Sequence, residues 1–136
     1  MKYYAVIDTN VLVSALLKWD SVPGNVLQFT ITGVVTPVLN EDILREYREV
    51  LLRKKFHFPE SVVDVILDNL AAQAVFINEE KLDVNLPDPK DVVFYEVVME
   101  ERKNQDAFLV TGNLKHFPVE RFIVTPRQFL DILLGK

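Results

Sequence analysis

Cysteine is absent from this chain, so it can build neither a disulfide framework nor a thiolate metal site. No apolar run approaches the roughly 18 residues that cross a bilayer, and no charged-then-apolar leader is seen. Secretion and membrane spanning are therefore not expected, and a cytoplasmic protein is. Positive charge is also scarce: 15 Lys and Arg stand against 20 Asp and Glu, a net charge of −5. That balance excludes a protein that grips nucleic acid by bulk charge, and any polyanionic substrate needs local basic patches or bound cations. The two histidines, His57 and His116, lack the spacing that marks a zinc site. Internal repeats, low-complexity tracts and linkers are missing as well.

What is present is the composition of an ordinary globular protein, 49% hydrophobic and 26% charged. A length of 136 residues fits one domain, 1–136, with a core that needs no covalent or metal staple. Short apolar runs at Val6-Ile7, Val34-Val35, Ala74 to Ile77, Phe108 to Val110 and Phe122 to Val124 have the character of parallel strands covered on both faces. Helical stretches separate them: Val11 to Lys18, Asn25 to Ile31, Asp42 to Lys54, Ser61 to Ala71, Val92 to Arg102 and Arg127 to Leu134. This alternation predicts an α/β sandwich with a parallel sheet and right-handed crossovers. Thr125-Pro126 and Asn40-Glu41-Asp42 read as capped helix starts, and Asp88-Pro89-Lys90-Asp91 as another. The polar stretch Asn78 to Lys90 is the longest expected loop.

Ligands of parallel α/β sheets bind beyond the carboxyl ends of the strands. In "YAVIDTNVLVSALL" the first apolar run ends at Asp8, which places that carboxylate in the crevice or at the cap of the next helix. At 100° per residue, Glu46 borders the apolar stripe of Ile43, Leu44, Tyr47, Val50 and Leu51, whereas Glu49 falls among polar neighbours and reads as a solvated charge. Asp91 opens a helix that is apolar almost all round, so its carboxylate is poorly solvated unless it forms a reciprocal cap with Asp88. Thr111-Gly112-Asn113 ends the strand of "FLVTGNLKHFP", and Thr111 and Asn113 offer neutral oxygens at the same sheet edge as Asp8.

Taken together, "VIDTNVLVSALL", "ILREYREVL", "DPKD" before a buried helix, "FLVTGNLKHF" and "IVTPRQFL" resemble the PIN-domain nucleases, and within them the branch of toxin components of toxin–antitoxin systems. The resemblance spans nearly the whole chain. It implies a three-layer α/β/α sandwich with a central parallel sheet and an acidic cluster that binds Mg²⁺ or Mn²⁺ for cleavage of RNA. Carried over by position, the catalytic and metal-binding acids are Asp8, Glu46 and Asp91, with Asp88 in a supporting place. The family usually has a fourth acid after the threonine and glycine. Here that residue is Asn113, which ligates a cation through its oxygen but supplies no charge.

Physical chemistry agrees with that ligand set, because hard divalent cations take oxygen ligands and three carboxylates held together without a cation repel one another. Thr9 is expected to fix Asp8 by hydrogen bonding, with Thr111 beside it. The sequence thus points to a metal-dependent ribonuclease, the toxin of a toxin–antitoxin pair, with RNA as substrate, an antitoxin protein as partner and a homodimer as the expected assembly. Asn113 and the acidic balance motivate an alternative: a PIN fold of weak activity that binds RNA or protein. An acidic α/β phosphatase is disfavoured, since "DTN" lacks a second aspartate two residues after Asp8.

Overall fold

The computed structural model describes residues 2–136. Its first strand, β1 (Tyr3–Ile7), leads into two consecutive helices, α1 (Thr9–Leu17) and α2 (Val22–Ile31). Strand β2 (Val35–Leu39) follows, then α3 (Glu41–Leu51), α4 (Glu60–Gln73) and the two-residue strand β3 (Val75–Phe76). A long connection precedes α5 (Val92–Glu101), β4 (Ala107–Val110), β5 (Ile123–Val124) and α6 (Pro126–Leu133). The five strands form one sheet in the order β3-β2-β1-β4-β5, with every pairing parallel and helices flanking it. This is the α/β architecture that the alternation of runs predicts.

Strand order decides where a site can form. The chain builds outward from β1 through β2 to β3, then returns to the other side of β1 to place β4 and β5. The reversal lies between β1 and β4, where successive connections diverge and open a crevice at the carboxyl ends. In register, Ile7 lies beside Val110, so both strands deliver their next residues, Asp8 and Thr111, to that point.

Several element bounds depart from the sequence expectation for identifiable reasons. Strand β2 runs on to Leu39 although Pro37, which has no N–H to donate, weakens the sequence signal. Helix α2 starts three residues before Asn25, because the Ser21 hydroxyl caps it by accepting from the Gly24 N–H at 3.1 Å and Pro23 sits in its first turn. Helix α3 stops at Leu51 rather than Lys54. Lys54–Phe56 forms a separate 3₁₀ turn that ends at His57 in the left-handed region, φ 58°. The other expected caps hold: Asn40 accepts from the Ile43 N–H at 2.8 Å, and Thr125 with Gln128 forms a full capping box.

The core fills with Val6, Val38 and Leu109 from the sheet, Phe94, Val97 and Val98 from α5, and Tyr47 and Phe129 from α3 and α6, all buried. The buried Tyr47 hydroxyl donates to the Ile7 carbonyl at 2.5 Å, which ties α3 to the end of β1. Residues 77–88 form no helix or strand, as expected, yet Leu82, Val84 and Leu86 pack against the core. Glu96 is buried on α5, where it accepts from the Leu82 N–H at 2.7 Å and holds the connection in place. Among the described residues, no helix is long and apolar enough to cross a membrane.

Candidate metal centre

At the switch point the ladder continues one residue past β1, with the Asp8 N–H donating to the Val110 carbonyl at 2.9 Å. Asp8 then occupies the N-cap position of α1, but its carboxylate makes no capping bond. Its Oδ2 instead accepts from the Thr111 hydroxyl at 2.7 Å and from the Asn10 amide at 3.3 Å. The two turns are laced further: the Asn10 side-chain oxygen accepts from the Gly112 N–H at 3.2 Å, and the Thr111 hydroxyl accepts from the Asn113 N–H at 3.0 Å.

Helix α3 presents Glu46 from the border of its buried face, half-buried as its helical angle predicts. The Thr9 hydroxyl donates to Glu46. The Thr9 side chain thus serves Glu46, and what Thr9 gives Asp8 is its main-chain N–H. Thr9 is the first residue of α1 and its hydroxyl goes to α3, while the residue beside Asp8 in the neighbouring strand's register is Thr111. Helix α5 is entered through a 3₁₀ turn, Pro89–Asp91, whose cap is Asp88 accepting from the Lys90 N–H at 3.0 Å. Asp91 makes no return bond to Asp88, so the reciprocal cap does not form. Its carboxylate, 8% exposed, instead meets the His116 Nδ1 at 3.0 Å, with the proton's location set by the tautomer.

These surroundings perturb the acids. Burial pushes the Asp8 carboxyl from its usual 3.8 up to about 6; the charges of Asp91 and Glu46 push the same way, and the Thr111 hydrogen bond opposes them. Asp91 is raised by burial and by Asp88, against the opposing His116. Burial also holds the Tyr47 hydroxyl protonated, reinforced by the charges of Asp8 and Glu46. Among the described residues, no lysine or arginine is paired with Asp8, Glu46 or Asp91.

An open cleft of about 820 Å³ runs past these groups, within the size range of ligand sites. Thr9, Glu46, Asp88 and Asp91 line it, together with the basic Arg45, Arg53 and Lys90. Glu49, expected as a plain surface charge, is exposed but lines the cleft too. Asn113 stands exposed at the start of the 3₁₀ turn Leu114–His116.

The tightest group of possible cation ligands is Asp88, Asp91 and His116, whose donor atoms lie within 4.8 Å of one another. Asp8 and Glu46 stand outside that group, and Asp8 feels the charges of both Asp91 and Glu46. His116 is the residue that sequence reasoning passed over. Its only sequence signal is its place three residues after Asn113, which the 3₁₀ turn converts into a shared side.

Buried carboxylates gathered at the switch point of a parallel sheet define an α/β fold whose donor set suits a hard divalent cation. A family model described as the PIN domain matches residues 4–115, and the chain belongs to that family, whose members are generally metal-dependent nucleases. A search of curated proteins gives no match.

Proposed function

We propose that the chain, as a single PIN-like domain over 1–136, is a cytoplasmic metal-dependent endoribonuclease and the toxin of a toxin–antitoxin pair. In this reading Asp8, Glu46 and Asp91 hold Mg²⁺ or Mn²⁺, with Asn113 as a neutral ligand and Thr9, Thr111 and Asp88 in support. A small antitoxin protein and a second copy of the chain are the proposed partners. One observation carries it: Asp8 is 6% exposed, faces the charges of Glu46 and Asp91, and has no basic partner among the described residues. A buried charge persists only when something compensates it, and a divalent cation is the compensation this donor set fits.

Asp8, Glu46 and Asp91 would hold a divalent cation whose Lewis acidity would polarise a phosphoryl oxygen and ease deprotonation of the attacking water. The chain's own residues do the rest. Thr111 and Asn10 fix one Asp8 oxygen, and Thr9 fixes Glu46, so both carboxylates are oriented before substrate arrives. Arg45, Arg53 and Lys90 along the cleft offset phosphate charge that a net-acidic surface would otherwise repel.

The test is cleavage of single-stranded and structured RNA by purified protein in Mg²⁺, in Mn²⁺ and in EDTA. Cleavage is expected with metal alone, and Asp8→Asn and Asp91→Asn are expected to abolish it with unchanged circular dichroism. Full cleavage by either variant removes that residue from the site. A second reading, a weakly active module that binds RNA or protein, is favoured by the exposed amide of Asn113 where the family resemblance implies an acid. It is supported if RNA binds but survives in every metal.

A further inference from the structure

We propose that His116 is a metal ligand, which makes the cation site a mixed carboxylate–imidazole centre selective for transition metals such as Mn²⁺ and Co²⁺ over Mg²⁺. This rests on the nuclease reading above and goes beyond it in naming a nitrogen ligand and the preference it creates. The family match ends at residue 115, one residue short of His116, so the match assigns His116 no part in the site.

Geometry is the first support. The His116 Nδ1 and Asp91 Oδ2 stand 3.0 Å apart, and two ligands bound about 2.1 Å from one ion at a right angle stand about 3 Å apart. A ligand of Asp88 completes the set within 4.8 Å. One pair already stands at the spacing of neighbouring ligands, and the third donor, no more than 4.8 Å away, reaches the same ion by a side-chain adjustment. The second support is charge. Where the family resemblance implies an acid the chain has the amide of Asn113, and His116, three residues onward, offers a further neutral ligand that adds no negative charge to the carboxylates already there.

Selectivity follows from ligand chemistry. Mg²⁺ dehydrates reluctantly and favours oxygen, whereas imidazole suits the later divalent metals, whose affinities rise along the first transition row. A site that adds an imidazole to its carboxylates therefore ranks Co²⁺ and Mn²⁺ above Mg²⁺. The competing role for His116 is only to orient the Asp91 carboxylate by hydrogen bonding. Glutamine separates the two, because its amide can still donate to Asp91 but is a poor ligand for a transition ion.

The experiment titrates apo wild type, His116→Gln and His116→Ala with Co²⁺, Mn²⁺ and Mg²⁺ by calorimetry, and follows the His116 ring signals by NMR as Co²⁺ is added. Wild type is expected to bind Co²⁺ at least tenfold tighter than Mg²⁺, with the His116 signals shifted paramagnetically at stoichiometric metal. Both variants are expected to lose about tenfold in Co²⁺ affinity and to change less than twofold for Mg²⁺. The proposal is overturned if His116→Gln keeps the wild-type preference, or if the His116 ring is unmoved when the site fills. Either result leaves the nuclease reading intact. Wild type that binds none of the three ions, and whose RNA cleavage ignores EDTA, overturns both.

Discussion

Replacing Asp8 by asparagine removes the most strongly perturbed carboxyl of the site at almost no change in shape. Burial, aided by Asp91 and Glu46, lifts the folded-state pKa from 3.8 to about 6. At about 1.4 kcal/mol per tenfold, that rise means the ionised form costs the fold about 3 kcal/mol. The sign follows from proton counts. Between about pH 4 and 6 the folded protein holds a proton that the unfolded chain has released, so the wild type loses stability as pH rises through that window. Above about pH 6 the whole cost is present; below about pH 4 it has gone.

The asparagine variant does not titrate at this position, and its side-chain oxygen can still accept from Thr111 and Asn10. In EDTA it is expected to be more stable than wild type by about 2–3 kcal/mol at pH 7.5, shrinking to about zero near pH 4. For a chain of this length that is a melting-temperature rise of roughly 7–10 °C at pH 7.5. Saturating Mn²⁺ should reverse the order, since wild type gains about 2.7 kcal/mol at a hundredfold excess over Kd and the variant gains much less. The assay is a set of thermal melts at pH 4, 5, 6 and 7.5, with and without metal. An advantage that fails to grow with pH, with equal Mn²⁺ shifts for both proteins, would refute the reasoning. A capping role for Asp8 predicts that flat result, because asparagine caps as well as aspartate.

Two further outcomes are expected. Asn113→Asp introduces the acid that the family resemblance implies at this position and should tighten Mg²⁺ or Mn²⁺ binding in calorimetry; equal or weaker binding places residue 113 outside the metal's reach. Tyr47→Phe strands the buried Ile7 carbonyl and should cost about 1–3 kcal/mol in urea unfolding with an unchanged m-value, whereas a neutral effect means that water or a shift in packing satisfies that carbonyl.

The sequence by itself determined the layout. Short continuous apolar runs and period-3.6 stripes are local, so the alternation of strands and helices, and hence a parallel α/β sheet, could be read from the sequence. The acid at the end of the first strand, the stripe-edge angle of Glu46 and the caps at Asn40 and Thr125 were legible for the same reason: each depends on neighbours within a few residues. Tertiary structure decided the rest. The hydroxyl that holds Asp8 is that of Thr111, 103 positions away, rather than that of adjacent Thr9, because the β1–β4 register sets Thr111 beside it while the Thr9 side chain turns toward α3. His116 reaches Asp91 across 25 positions only through the 3₁₀ turn that follows β4. Such pairings are fixed by how strands and turns come together in space, and no spacing along the chain encodes them.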